Sequence, residues 1–199
     1  MSTAPAPDED VLYRRQIAYL FERSPFYRDK LKATGFADVA SVGGLADIAA
    51  LPFTEKDELR TSRSAEHPLG AHVAADPGAI VRIYSTSGTT GTPSYIPLTA
   101  ADIESWKQIA SRSYGASGVR RGDRVITTYG AGPFVAGAAL AGLEALGTTH
   151  IPVGPGNTEK LMAAVTTLKA QAIALTPSYA FHLIEWARER RIDLRNSSV

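Results

Sequence analysis

Residues 84–93 read Tyr-Ser-Thr-Ser-Gly-Thr-Thr-Gly-Thr-Pro, and this stretch directly follows the mainly apolar run at residues 79–83. A glycine lets the backbone approach a ligand closely, and successive N–H groups can then form an anion-binding concavity. The neighbouring hydroxyl groups add hydrogen-bond donors that suit phosphate oxygens. The stretch has the composition of a phosphate-binding loop at the end of a strand. It lacks the Gly-Lys-Ser/Thr of a Walker loop, and the alternative is an ordinary connecting loop.

Strand-like and helical segments alternate after residue 77. The predicted strands are at residues 79–84, 124–129, 148–153 and 170–175, and the predicted helices are at residues 99–114, 134–146, 157–168 and 177–190. Short strands separated by helices pair in parallel through right-handed crossovers. Upstream, helical segments are predicted from Glu9 and from Phe26, with shorter ones near Asp47 and Thr54. We therefore predict an α/β fold in which an N-terminal helical segment, residues 1–78, precedes a largely parallel, helix-flanked sheet, residues 79–199.

In a sheet of this kind, ligands bind in the crevice outside the carboxyl ends of the strands. Four loops of unusual composition follow the predicted strands, at residues 84–93, 129–134, 153–158 and 176–179. We expect them to line one ligand site.

Composition excludes several classes of function. A net charge of +1 gives no electrostatic reason to bind nucleic acid or an anionic membrane. The polar N-terminus has no apolar signal core, and no apolar run is long enough to cross a bilayer, so we expect a cytoplasmic protein. The chain has no cysteine, and His67 and His72 have no third ligand close in sequence. The sequence therefore predicts neither a disulfide nor a metal site.

Several separated segments resemble one family. Residues 84–93 are similar to the [ST]-S-G-[ST]-T-G-x-P loop of the acyl-adenylating superfamily. The Ser-Pro-Phe-Tyr-Arg at residues 24–28 resembles the "SPFYR" of the phenylacetate–CoA ligase family. Residues 51–60, 129–134 and 175–180 resemble its "LPFTTKDDLR", "YGYGLF" and "CTPSYA". The matches occur in family order from about residue 13 to the end of the chain, and this order is far more specific than any single motif.

The resemblance implies the large domain of an adenylating enzyme and a two-step, AMP-forming reaction. A carboxylate attacks the α-phosphorus of ATP and releases pyrophosphate, and a thiol, usually that of coenzyme A, captures the acyl-adenylate. ATP, Mg²⁺ and coenzyme A are therefore the implied cofactors and co-substrates. The resemblance assigns phosphate binding to Ser85, Thr86, Ser87, Gly88, Thr89, Thr90 and Gly91.

The resemblance also implies a pocket for an aromatic carboxylic acid. Its residues in this chain would be Tyr129, Gly130, Ala131 and Phe134, with the two glycines of the loop leaving room for a ring. From the residues alone, the favoured interpretation is that Tyr129 and Phe134 are ordinary core residues at a strand–helix corner.

The chain departs from the family pattern in two ways. Thr92 stands where the family usually has Lys, which removes a cation near the nucleotide phosphates. The adenine-binding segment, the Tyr-x-x-Thr-Glu motif with the Mg²⁺-linked acid, the ribose-binding Asp and the domain with the catalytic Lys are absent. We therefore expect the catalytic residues beyond residue 199 and expect this chain alone to be inactive.

Two hypotheses of different classes remain open at this point. The first is the N-terminal part of an ATP-dependent, phenylacetate–CoA ligase-like enzyme, with a carrier-protein thiol or an amine as alternative acceptor. The second is a catalytically inert or split-enzyme module that binds a nucleotide or a partner protein. The expected partners are the small-molecule acid, ATP and coenzyme A, together with the remainder of the enzyme or a second copy of the chain.

Overall fold

The computed structural model describes residues 8–86, 93–129, 136–194 and 197–199. The chain divides into two compact units. The first comprises Met1–Ile83 with Gly88–Thr99, and the second comprises Tyr84–Ser87 with Ala100–Val199.

The first unit begins with helices, as predicted. Helix α1 spans Glu9–Arg23, α2 spans Pro25–Ala33 and α3 spans Lys56–Thr61, with 3₁₀ turns at Ala40–Val42, Leu45–Ala50 and Pro77–Ala79. Strands β1, Ile80–Ser85, and β2, Tyr95–Thr99, follow. Strand β2 was not predicted, because it contains Pro97, which lacks the N–H that a central strand needs.

Ser24 joins α2 to a later part of the same unit. Its side chain is fully buried, and its hydroxyl accepts a 3.3 Å hydrogen bond from the amide of Tyr27 at the start of α2. The same hydroxyl donates to the carbonyls of Ala71 and His72, and the amide of Phe26 also donates to Ala71. The Ser-Pro-Phe-Tyr-Arg segment therefore has a structural role, which is to dock α2 against residues 71–72.

A carboxylate secures the start of α1. Asp10 accepts 2.7 Å hydrogen bonds from the Arg14 guanidinium and from the backbone amide of Leu45. These bonds hold the pKa of Asp10 below its usual value. The apolar core beneath contains Ile17 and Phe21 of α1, with residues of α2 and the first 3₁₀ turn.

The second unit shows the predicted alternation of helices and strands. In chain order it contains α4 (Ala100–Ala116), β3 (Arg124–Thr127), α5 (Ala136–Leu146), β4 (Thr149–Pro152), α6 (Thr158–Leu168), β5 (Ala172–Ala174) and α7 (Pro177–Glu189). Strands β4, β3 and β5 lie side by side in that order, and both pairings are parallel. Ile126 of β3 is in register with Ile151 and Ile173. The predicted α/β fold with a parallel, helix-flanked sheet is confirmed.

The expectation that β1 would share this sheet is wrong for the described residues. There β1 pairs with β2 in a separate sheet, whereas β3 pairs with β4 and β5. Strand β2 was not predicted, and it is the partner that follows β1 after a short connection.

Helices cover both faces of the parallel sheet. The core around Ile126 contains Leu161 and Val165 of α6 with Leu183 of α7. The chain moves from β3 to β4 and then returns across β3 to β5, so right-handed crossovers place α5 and α6 on opposite faces. None of the helices in the described ranges is long and apolar enough to cross a membrane.

Helices α4 and α5 approach each other closely at a glycine. A Cβ atom on Gly142 would meet the Ala110 side chain and lie 2.9 Å from the Ala110 carbonyl carbon and the Ser111 amide nitrogen. Backbone atoms in a helix cannot move aside cheaply, so this contact requires glycine.

Gly142→Ala should therefore destabilise the protein, although alanine favours helices by about 1 kcal/mol over glycine. We expect a net loss of about 1–3 kcal/mol, the usual cost of overpacking a close contact, in urea denaturation. Gly115→Ala in α4 is the matched control, because the nearest atom to its Cβ would be Leu146 Cδ1 at 3.9 Å. The control should be neutral or stabilising. Equal stability of the two variants would contradict the close packing of α4 on α5.

Ser24→Ala should lower the free energy of unfolding by about 1–3 kcal/mol. It removes a helix cap and takes the hydroxyl donor away from the carbonyl of His72, whereas the carbonyl of Ala71 keeps the amide of Phe26. Ser105→Ala is the control, because Ser105 is exposed on α4 and its hydroxyl donates within the helix to Ala101. That change should stay within about 0.5 kcal/mol. A Ser24 variant as stable as the control would show that the docking of α2 does not depend on this hydroxyl.

Candidate active site

The topology of the second unit defines where a crevice opens. Strands β3 and β5 are neighbours, but the helices that follow them, α5 and α7, lie on opposite faces of the sheet. A crevice forms outside the carboxyl ends of two such strands. The segments that leave these ends contain Thr128 and Tyr129 after β3, and Leu175 and Thr176 after β5.

The backbone that leads into this crevice is fixed from both sides. The amide and the hydroxyl of Thr128 donate to the carbonyl of Ala174, at 3.2 and 3.3 Å. On the other side, the amides of Val153 and Gly154 donate to the carbonyl of Thr127. The two residues before Tyr129 therefore cannot shift without breaking hydrogen bonds to the segments on both sides.

A buried threonine hydroxyl on β3 lies close to a histidine on the neighbouring strand β4. Thr127 Oγ1 is 2.8 Å from His150 Nε2, and the Thr127 side chain is fully buried. Burial lowers the pKa of His150, an effect that Glu144 partly opposes. The imidazole is therefore neutral near pH 7 and acts as a hydrogen-bonding partner for Thr127.

Tyr129 is held at its tip as well as at its backbone. Its hydroxyl lies 2.8 Å from the hydroxyl of Tyr114 on α4. Burial, with the bond to Tyr114, raises the pKa of Tyr129 well above its usual value, so the phenol stays protonated. The ring is only partly buried, unlike the core residues around Ile126. Contact between Tyr129 and the acid stays a prediction.

The loops after β4 and β5 are tied together where α6 and α7 begin. Asn157 caps α6 by accepting from the amide of Lys160 at 2.9 Å, as expected for a helix start. The next residue, Thr158, lies 3.1 Å from the hydroxyl of Tyr179, whose ring stacks on that of His182 at 5.7 Å between centroids. Two of the predicted loops, at residues 153–158 and 176–179, therefore meet.

The contact between Thr158, Tyr179 and His182 was not predicted from the sequence. Tyr179 and His182 are three residues apart on α7 and hence on the same helical face, which was the available signal. No local signal connected them to Thr158, because that contact depends on how α6 packs against α7. His182 is exposed.

The structure places only some of the predicted site residues. Ser85 ends β1 and Thr86 follows it. Outside the described residues lie Ser87, Gly88, Thr89, Thr90 and Gly91 of the phosphate loop, together with Thr92, Gly130, Ala131 and Phe134. Within the described ranges, no group of three His, Cys, Asp or Glu side chains is arranged to hold a metal ion.

No family model matches the chain. The chain is, however, 37% identical over 187 residues to the phenylacetate-coenzyme A ligase of Thermus thermophilus, a match that covers 94% of this chain and 41% of that protein. It is 35% identical over 181 residues to the phenylacetate-coenzyme A ligase of Pseudomonas putida, covering 90% of this chain and 40% of that protein. The chain therefore spans about two fifths of the length of the curated relatives it matches.

Solved structures give the same relationship. A 2-hydroxyisobutyryl-CoA ligase in complex with 2-HIB-AMP and CoA matches with a TM-score of 0.85 and 33% identity, over 98% of this chain and 42% of that protein. The open form of that ligase matches with a TM-score of 0.83 over 92% of this chain. Together with the parallel sheet and the ordered sequence motifs, these matches show that the chain belongs to the phenylacetate–CoA ligase family of acyl-adenylating enzymes.

Proposed function

We propose that this chain forms the N-terminal part of an ATP-dependent, AMP-forming acid–CoA ligase. The observation that carries the proposal is the match of nearly the whole chain to a ligase structure that holds an acyl-adenylate and CoA. In the proposed reaction, a carboxylate attacks the α-phosphorus of ATP and pyrophosphate leaves. The thiol of coenzyme A then attacks the acyl carbon, and AMP leaves.

The first step must bring two anions together, so the site must position the triphosphate and offset its charge. We assign this role to residues 85–91. Ser85 and Thr86 stand at the carboxyl end of β1, which suits a loop that presents hydroxyl and N–H donors to phosphate oxygens. A bound Mg²⁺ would offset part of the phosphate charge, and its ligands are expected beyond residue 199.

The acid that we propose is aromatic. The curated relatives named phenylacetate-coenzyme A ligases are 35–37% identical to this chain, slightly closer than the 2-hydroxyisobutyryl-CoA ligase at 33%. Tyr129 follows β3 at the crevice and offers a ring against which an aryl group can pack. Such a contact between two aromatic rings contributes about 0.5–1.5 kcal/mol beyond the burial of apolar area. The competing substrate class is a short hydroxy acid, which is favoured by the similarity to the 2-hydroxyisobutyryl-CoA ligase.

The chain alone is proposed to be inactive, with the remainder of the enzyme as its partner. The relatives are more than twice as long, and this chain has Thr92 where the family usually has Lys. The second candidate, an inert or split module that binds a nucleotide, rests on the same two features. It requires nucleotide binding without turnover even when the missing parts are present.

Acid-dependent exchange of labelled pyrophosphate into ATP tests the proposal. The full-length protein from its natural source should catalyse exchange with arylacetic acids, more weakly with 2-hydroxyisobutyrate, and not at all without an acid. The 199-residue chain alone should show no exchange. Exchange with the hydroxy acid only would exclude an aromatic substrate. No exchange with any acid, together with retained ATP binding, would favour the inert module.

Two substitutions in the phosphate loop should change ATP affinity in opposite directions. Gly88→Val in the full-length protein should abolish ATP binding, because its side chain would occupy the space assigned to phosphate. Thr92→Lys should tighten binding about tenfold, or ~1.4 kcal/mol, because it restores a cation beside the phosphates. Calorimetry measures both, and Ser105→Ala on α4, outside the loop, serves as a control. Unchanged ATP affinity in Gly88→Val would remove the loop from the site.

A further inference from the structure

We propose that Tyr114 is a positioning residue that fixes the ring of Tyr129 and so sets the acid selectivity of the ligase. The proposal rests on the proposed function and adds a residue outside every motif that resembles the family. Its basis is the 2.8 Å hydrogen bond between the two phenol oxygens, which joins α4 to the segment that leaves β3.

Tyr129 is constrained at both ends of its side chain. At the backbone, the preceding residue Thr128 is bonded through its amide and its hydroxyl to the carbonyl of Ala174. At the tip, the bond to Tyr114 restricts both side-chain torsions of Tyr129 at once. Without that bond, the ring could adopt other rotamers about a fixed Cα. The pair therefore selects one ring orientation at the mouth of the crevice.

The Tyr114 hydroxyl is itself held by a rigid helix. Tyr114 lies four residues after Ala110, so both are on the same face of α4. Ala110 is the residue that packs against Gly142 of α5 without room for a Cβ atom. The carbonyl of Tyr114 also accepts from the amides of Ser117 and Val119, which close the end of α4. Tyr129 is thus hydrogen-bonded to a helix, α4, that packs closely against α5.

Within the described part of the chain, the two phenols leave one hydrogen-bond donor unused. One phenol donates to the other, so one O–H remains to donate elsewhere. Because burial and Tyr114 raise the pKa of Tyr129, the group does not become a phenolate in the neutral range. A carboxylate that approaches Tyr129 therefore encounters an uncharged phenol, which does not repel it.

The test is Tyr114→Phe in the full-length protein, assayed by acid-dependent pyrophosphate exchange. We expect the KM for the preferred acid to rise about fivefold, as for the loss of a hydrogen bond worth ~1 kcal/mol, while the KM for ATP is unchanged. The differences in kcat/KM between acids should become smaller. Tyr19→Phe is the matched control, since it deletes a phenol that donates at 3.1 Å to the Ala74 carbonyl in the first unit. It should leave all constants unchanged.

A double-mutant cycle keeps the inference falsifiable even if activity falls sharply. If Tyr114 acts through Tyr129, the variant carrying Tyr114→Phe and Tyr129→Phe should lose no more acid selectivity than either single variant. Additive losses, or an acid KM and ranking unchanged in Tyr114→Phe, would overturn the inference. Absence of acid-dependent exchange in the unmodified protein is a different result, which overturns the proposed function itself.

Discussion

The central position of β3 is the constraint on which the second unit depends. Both edges of this strand are paired, with β4 on one side and β5 on the other, and Ile126 at its middle is fully buried. A parallel strand with both edges in use has no freedom of register, because a shift of one residue would move Ile126 out of the core and break two ladders. The direction in which Tyr129 leaves the sheet follows from that fixed register.

Much of this fold could be predicted from the sequence, since the alternation of short apolar runs with amphipathic helices depends on local patterns. Asn157 before α6 and Pro177 at the start of α7 are such local signals, and both helices begin where expected. Strand β2 was missed because Pro97 removes one backbone donor, which normally argues against a strand. The separate pairing of β1 followed from that omission and could not be predicted without it.

The candidate site was predictable only in outline. Polar residues after each strand predicted that four loops would gather, since the carboxyl ends of parallel strands share one edge. Within the described residues, two of these loops meet, at residues 153–158 and 176–179. The bond between Tyr114 and Tyr129 was not predictable, because it depends on the packing of α4 against α5 at Gly142. The buried role of Ser24 was hidden for a similar reason: its two acceptors lie almost fifty residues along the chain. Contacts of this kind require the tertiary arrangement, whatever the local pattern.

The strand order β4-β3-β5 also orders the folding of this unit in time. Only α5 separates β3 from β4, whereas β5 must wait for α6 to cross the sheet, and loop closure costs more as the intervening chain lengthens. We therefore expect the pair β3 and β4 to form first and the three-residue β5 to dock last. Since the crevice lies between β3 and β5, the proposed ligand site of a nascent chain would be complete only after the final strand pairing.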